Sequence, residues 1–135
     1  QILFEESEEG DDKGLGVFKG KFKKFKLNKL RVPHQGWNYV KKNNFMEKTL
    51  ADILDKRFYY SHSFYIDDNQ IENSIEYNLT NYEIDFISVI KNNNILAAID
   101  GMMPSVTING RTAAANQWRC WCGKNLIVYV LDWEI

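Results

Sequence analysis

Strand patterns predominate along this chain, and long helical patterns are scarce. Lys21-Phe22-Lys23-Lys24-Phe25-Lys26-Leu27 is apolar at 22, 25 and 27. This broken alternation predicts a strand with a lysine-rich outer face. Arg57 to Tyr65 is rich in aromatic residues and predicts another strand. Ser74 to Thr80 and Ile84 to Ile90 are further candidates, followed by a turn at Asn92-Asn93-Asn94. The short apolar runs Ile95 to Ile99 and Leu126 to Leu131 suit buried strands. Thr49 to Leu54 can form one or two helical turns, and Thr112 to Ala115 can start a helix. Gly10, Gly14, Gly16 and Gly20 mark their stretch as loop and turn, and Val32 to Asn38 reads as a loop bracketed by Pro33 and Gly36. There is no internal repeat.

Composition narrows the choice. At 135 residues the chain has the length of one small domain, with an ordinary apolar fraction of 44%. Seventeen Lys and Arg against eighteen Asp and Glu leave a net charge of −1, which argues against a dedicated nucleic-acid binder. The lysine face of residues 21–27 therefore reads as protection of a sheet edge rather than as an anion-binding stripe. Charge is nonetheless segregated. Residues 1–12 carry acids and no base, whereas residues 13–31 carry bases and no acid, so the two blocks can neutralise each other.

No apolar run approaches the ~20 residues of a membrane-spanning helix, and no signal peptide is visible. The expectation is a cytoplasmic protein with no membrane partner. Cys120 and Cys122 are too close for an unstrained bridge. With only His34 and His62 to join them, they do not make up a four-ligand metal site. Asn78-Leu79-Thr80 fits a glycosylation acceptor, which without a secretion signal is a chance match. No cofactor is expected. Composition shifts near residue 99: only Arg111, Arg119 and Lys124 are basic beyond it, while both Cys and three of four Trp lie there. This divides the chain into 1–98 and a divergent tail, 99–135.

Three segments carry a family resemblance. Gln1 to Gly10, followed by Gly14-Leu15-Gly16, is similar to the stretch after a nucleophile elbow of the form G-x-C-x-G-M-Q. Val32 to Asn38 is close to P-H-M-G-W-N. Tyr59 to Tyr65 is close to F-V-H-S-Y-Y. In this order and spacing they resemble the glutaminase subunit of imidazole glycerol phosphate synthase, a class I glutamine amidotransferase, over residues 1–98.

The resemblance implies an α/β fold, namely the C-terminal half of a three-layer, flavodoxin-like sandwich around a mixed sheet, with its N-terminal strands missing. It implies an apolar-acidic helix soon after Gln1. It also implies glutamine hydrolysis by a Cys-His-Glu triad, with ammonia passed to a barrel-shaped cyclase partner in histidine biosynthesis. Gln1, Ser63 and Phe64 match positions that hold the substrate glutamine. Pro33, His34, Gly36, Trp37 and Asn38 match a cyclase-facing loop, with Trp37 as its anchor, and Tyr59 matches an aromatic near the ammonia exit. His62 sits in a motif but is not the catalytic histidine.

The triad itself is expected to be missing. The cysteine would precede Gln1. Where the family reads F-H-P-E, Gly101 stands for the histidine and Met103 for the glutamate, and neither takes a proton. The chain is therefore expected to be inactive alone. Two other readings stay open: a non-catalytic cyclase-binding module, and an amidotransferase subunit for surface-sugar biosynthesis.

Overall fold

The computed structural model describes residues 1–43, 57–92 and 95–98 and the strand residues 101–102, 106–108, 111–113, 117–119 and 125–130. The helical turns expected at 49–54 lie outside the described residues, as do Asn93, Asn94, Ile99, Met103, Cys120 and Cys122. The strands are β1 (Phe4–Ser7), β2 (Phe18–Lys24), β3 (His34–Asn43), β4 (Arg57–His62), β5 (Phe64–Tyr65), β6 (Glu76–Tyr82), β7 (Ile84–Asn92) and β8 (Ile95–Ala98). Five shorter or later ones follow: β9 (Gly101–Met102), β10 (Val106–Ile108), β11 (Arg111–Ala113), β12 (Gln117–Arg119) and β13 (Asn125–Val130). Among the described residues the one helical segment is a 3-10 turn, Asp68–Gln70. No helix among them is long and apolar enough to cross a membrane, a statement that does not bear on β-barrels.

The strands form three sheets. Eight align in the order β12-β13-β8-β7-β6-β3-β4-β9, three as β1-β2-β5, and β10 pairs with β11. The three-stranded sheet is mixed, because β1 runs parallel to β2 while β5 runs antiparallel to it. Sheets with so little helix are compatible with the sheet region of an amidotransferase domain.

Two core clusters explain the packing. One gathers Leu3, Phe4, Phe18, Phe22, Ile66, Ile71, Ile75, Leu79, Ile87, Ile90 and Ala97. It joins the small sheet to β6–β8, and the Ile87 N–H donates to the Ile66 carbonyl at 3.0 Å. The other is aromatic: Phe25, His34, Tyr60, His62, Tyr82 and Phe86 meet at ring distances of 3.8–6.0 Å. Tightly packed aromatic rings contribute beyond the apolar area they bury.

Four segments differ from the sequence expectations. The lysine-rich strand β2 is not a sheet edge: it lies between β1 and β5 and pairs with both. Residues 4–7 are extended, not helical. Phe4 packs against Phe18 and Phe22, with ring centroids 5.3 and 5.0 Å away, while Glu5 and Glu6 stay exposed. The glycine loop then closes over β1, with the Gly14 N–H donating to the Glu5 carbonyl and the Leu15 N–H to the Ile2 carbonyl. Residues 34–38 belong to a ten-residue strand, entered through a cis Val32–Pro33 bond, rather than to a loop. Thr112 and Ala113 are in β11, not at the start of a helix. Thr112 pairs with Thr107 and Arg111 with Ile108, antiparallel. Beyond residue 98, β9, β12 and β13 continue the large sheet, since β13 pairs with β8 and β12 and β9 pairs with β4, whereas β10 and β11 pair only with each other.

Candidate functional site

The β3–β4 ladder separates the predicted site residues by face. Its register sets His34 against His62, Gly36 against Tyr60 and Asn38 against Phe58. The intervening pairs are Gln35–Ser61, Trp37–Tyr59 and Tyr39–Arg57. Successive residues of a strand point to opposite faces. The first set therefore faces the interior and the second faces outward.

The outer face carries an aromatic and cationic patch. Trp37 is 55% exposed, and its ring meets Tyr59 edge-on at 5.7 Å. The Arg57 guanidinium lies 5.4 Å from the Trp37 ring and 5.7 Å from Tyr39. Lys41 Nζ stands 4.8 Å from the Tyr39 ring. Cations over aromatic faces are held by the ring quadrupole, so Trp37, Tyr39, Lys41, Arg57 and Tyr59 share one surface. Trp37 and Tyr59 were both legible as candidates. Tyr39, Arg57 and Lys41 were missed; the i, i+2, i+4 spacing of 37, 39 and 41 would have revealed Tyr39 and Lys41 had the segment been read as a strand, whereas Arg57 joins them only through its pairing with Tyr39. Pro33 is exposed at the head of β3. Gly36 holds φ +136°, a conformation that favours glycine.

His34 does not share that surface. It is 2% exposed and His62 is 7% exposed. Their rings face each other inside the aromatic cluster, with His34 Nδ1 2.9 Å from His62 Nε2. His62 Nδ1 in turn donates to the Phe64 carbonyl at 2.8 Å. Burial, with a smaller contribution from His62, lowers the pKa of His34 to about 3. Burial also lowers that of His62 to about 4, against the opposing pull of the Phe64 carbonyl. Asn38, on the same face as His34, is half-buried. Its side-chain amide donates to the Asn81 carbonyl at 2.8 Å and lies 3.4 Å from His34 Nε2.

The three residues matched to substrate binding are not brought together. Ser63 and Phe64 lie at the start of β5, where Phe64 pairs with Lys24 of β2 and the Ser63 carbonyl accepts from the Phe25 N–H at 2.9 Å. Gln1 precedes β1, on the opposite side of β2. Its Nε2 donates to Ser7 Oγ at 2.5 Å and to Glu9 Oε2 at 2.6 Å. Gly101 pairs with Tyr60 and Met102 with Tyr59 at the edge of the large sheet. Among the described residues no three His, Cys, Asp or Glu side chains converge as metal ligands do. The two histidines engage each other rather than any nucleophile.

Taken together, the mixed sheet, the strand that carries P-H-x-G-W-N and the Ser-Phe turn beside it agree with a segment of a glutamine amidotransferase domain. No family profile matches the chain. Individual relatives do. The chain is 42% identical over 97 residues to imidazole glycerol phosphate synthase subunit HisH 2 of Methanococcus maripaludis, an overlap that covers 70% of the chain and 46% of that protein. It is 36% identical over 107 residues to subunit HisH of Nitrosomonas europaea (72% and 49%) and 40% identical over 101 residues to subunit HisH of Leptospira borgpetersenii (70% and 48%). The chain is thus related to the HisH subunits of imidazole glycerol phosphate synthase, and it spans about half the length of the curated relatives it matches.

Proposed function

We propose that this chain is part of a glutamine amidotransferase subunit of imidazole glycerol phosphate synthase, a subunit that hydrolyses glutamine to supply ammonia to a cyclase partner. On this reading residues 1–98 belong to a three-layer α/β sandwich, and 99–135 form a divergent tail. Ser63 and Phe64 hold the amino-acid end of glutamine. The face bearing Trp37, Tyr59, Tyr39 and Arg57 docks on the cyclase, in a heterodimer that works in the cytoplasm. The observation that carries the reading is the coincidence of the HisH similarity with an exposed Trp37–Tyr59–Arg57 cluster. Trp, Tyr and Arg are the residue types that dominate binding energy at interfaces.

Gly101 and Met103, at the positions of the family's histidine and glutamate, favour a chain that binds the cyclase without hydrolysing glutamine. The test is a titration of the chain against the cyclase subunit, read by calorimetry, with glutamate release followed in parallel. Binding is expected, with no glutamate formed. Trp37→Ala should weaken it by about thirtyfold, the effect of losing a residue worth ~2 kcal/mol. Absence of binding would sink the docking surface, and glutamate release would sink the non-hydrolysing reading.

A further inference from the structure

The two buried histidines allow every ring hydrogen to be assigned. The Phe64 carbonyl oxygen can only accept, so His62 Nδ1, 2.8 Å away, carries the hydrogen. In a neutral ring His62 Nε2 is then a lone pair. His34 Nδ1, 2.9 Å from it, must donate. That leaves His34 Nε2 as an acceptor, and the group facing it is the Asn38 amide nitrogen at 3.4 Å. The orientation of that amide is fixed independently. Asn38 Oδ1 accepts from the Tyr39 N–H at 2.8 Å, and the second amide hydrogen goes to the Asn81 carbonyl. The donors run one way, from Asn38 through His34 and His62 to Phe64.

The rings around the pair reinforce the neutral form. Tyr60 and Tyr82 stack on His34 at 4.8 and 3.8 Å. Phe25 packs on His62 at 5.2 Å, and Phe86 lies 5.7 Å from His34 and 4.9 Å from His62. Tyr60 is itself tied through its hydroxyl to Thr80 at 2.9 Å, and Tyr82 donates to the Arg31 carbonyl at 2.9 Å. Among the described residues none of the groups packed on the two imidazoles is a carboxylate, so an imidazolium would have no counter-charge. At the far end of the chain of donors the Ser63 and Phe64 carbonyls are both engaged, by the Phe25 N–H and by His62. The backbone at this turn is therefore set before any ligand arrives, and a site already in its bound shape binds at lower entropic cost.

We infer that His62, oriented by His34, is a positioning residue that pins the Phe64 carbonyl and so shapes the Ser63–Phe64 backbone for the amino-acid end of glutamine. The ligand in this statement rests on the proposed function; the pinning does not.

The test uses the full chain labelled with 15N-histidine. Two histidines give four ring nitrogens, and long-range nitrogen–proton spectra distinguish N–H from lone-pair nitrogen at each. Both rings are expected to carry hydrogen on Nδ1 alone, the tautomer less favoured in water. A His62 ring protonated at Nε2 would overturn the relay.

Substitution then tests the pinning. His62→Phe keeps a ring in the aromatic cluster and removes the donor, so the Phe64 carbonyl carbon resonance should move and amide exchange at 63–65 should accelerate. His62→Gln restores a donor and should return both toward wild type. A folded His62→Phe variant with an unmoved Phe64 carbonyl refutes the positioning role, and the tautomers of the unmutated chain decide the relay even if that variant does not fold. Glutamine titration of the same samples separates the two layers. Wild-type binding weakened about tenfold by His62→Phe and rescued by His62→Gln, the scale of one hydrogen bond, supports both. A wild-type chain with the expected tautomers that binds no glutamine removes the substrate assignment and leaves the pinning standing.

Discussion

Two buried neutral histidines make stability fall with acid in a window of their own. In the unfolded chain both titrate near 6.5. Folded, His34 titrates at about 3 and His62 at about 4. Below pH 6.5 the unfolded state therefore takes up protons that the folded state refuses, and stability declines as pH falls until the folded values are reached. Each histidine contributes a slope of up to about 1.4 kcal/mol per pH unit in that range. Between pH 7 and pH 5 the pair should remove about 3–4 kcal/mol, a large share of a small domain's stability. The interval lies above the ordinary carboxylate range, so Asp and Glu contribute little to it. The assay is urea unfolding at half-unit steps from pH 7.5 to 4.5, with the m value checked for constancy. Histidine Cε1–H resonances recorded in parallel should show no titration of the folded state above pH 5. A urea midpoint unchanged from pH 7 to 5, or folded-state histidines that titrate near 6.5, would refute the buried neutral pair.

Three other substitutions test the frame around β1 and β6–β7. A Cβ at residue 14 would lie 1.9 Å from the Phe4 carbonyl oxygen and 2.8 Å from that of Ile2. Gly14→Ala should therefore cost about 2–4 kcal/mol in urea unfolding, because backbone rather than a yielding side chain is in the way. Gly10→Ala, which meets nothing within 4 Å, should stay within about 0.5 kcal/mol of wild type; equal effects at both positions would contradict the loop geometry. Glu83, at φ +65° in the tip between β6 and β7, accepts from the N–H groups of Asn28, Lys29 and Leu30 at 2.7, 3.0 and 3.0 Å. The N–H groups of Asn28, Leu30 and Lys29 hold its carboxyl below the usual range. Its stabilising contribution is present above the unfolded carboxylate pKa and is lost as pH falls through the lower folded value. Glu83→Ala should accelerate amide exchange at 28–30 by about tenfold at neutral pH. Unchanged protection there would show that the three N–H groups have other partners.

How far the sequence could be read depended on what each signal encodes. Broken alternation located β2, aromatic content located β4 and short apolar runs located β8 and β13, each to within a few residues; β6 and β7 were located as closely, although burial along β7 is continuous from Phe86 to Ile90 and leaves no period of two. A period of two was present in residues 34–41, with His34, Gly36, Asn38 and Val40 on one face and Gln35, Trp37, Tyr39 and Lys41 on the other. There Pro33 and Gly36 prompted a loop reading instead. That one choice hid half of the site. Read as a strand, the segment predicts that His34 and Trp37 face opposite ways, so that one motif serves an interior and a surface. It also predicts that Tyr39 and Lys41 join Trp37 outside. The pairing of His34 with His62 was beyond any local signal. It depends on the register between strands separated by residues 44–56, a contact that pattern along the chain does not encode. Motif resemblance reached further, because it carries relatives' tertiary information in their sequences, but it too assigned residues to a loop rather than to faces. The division between Trp37 outside and His34 inside rests on the pleat of β3 alone, and a one-residue slip of its register against β4 would exchange the two.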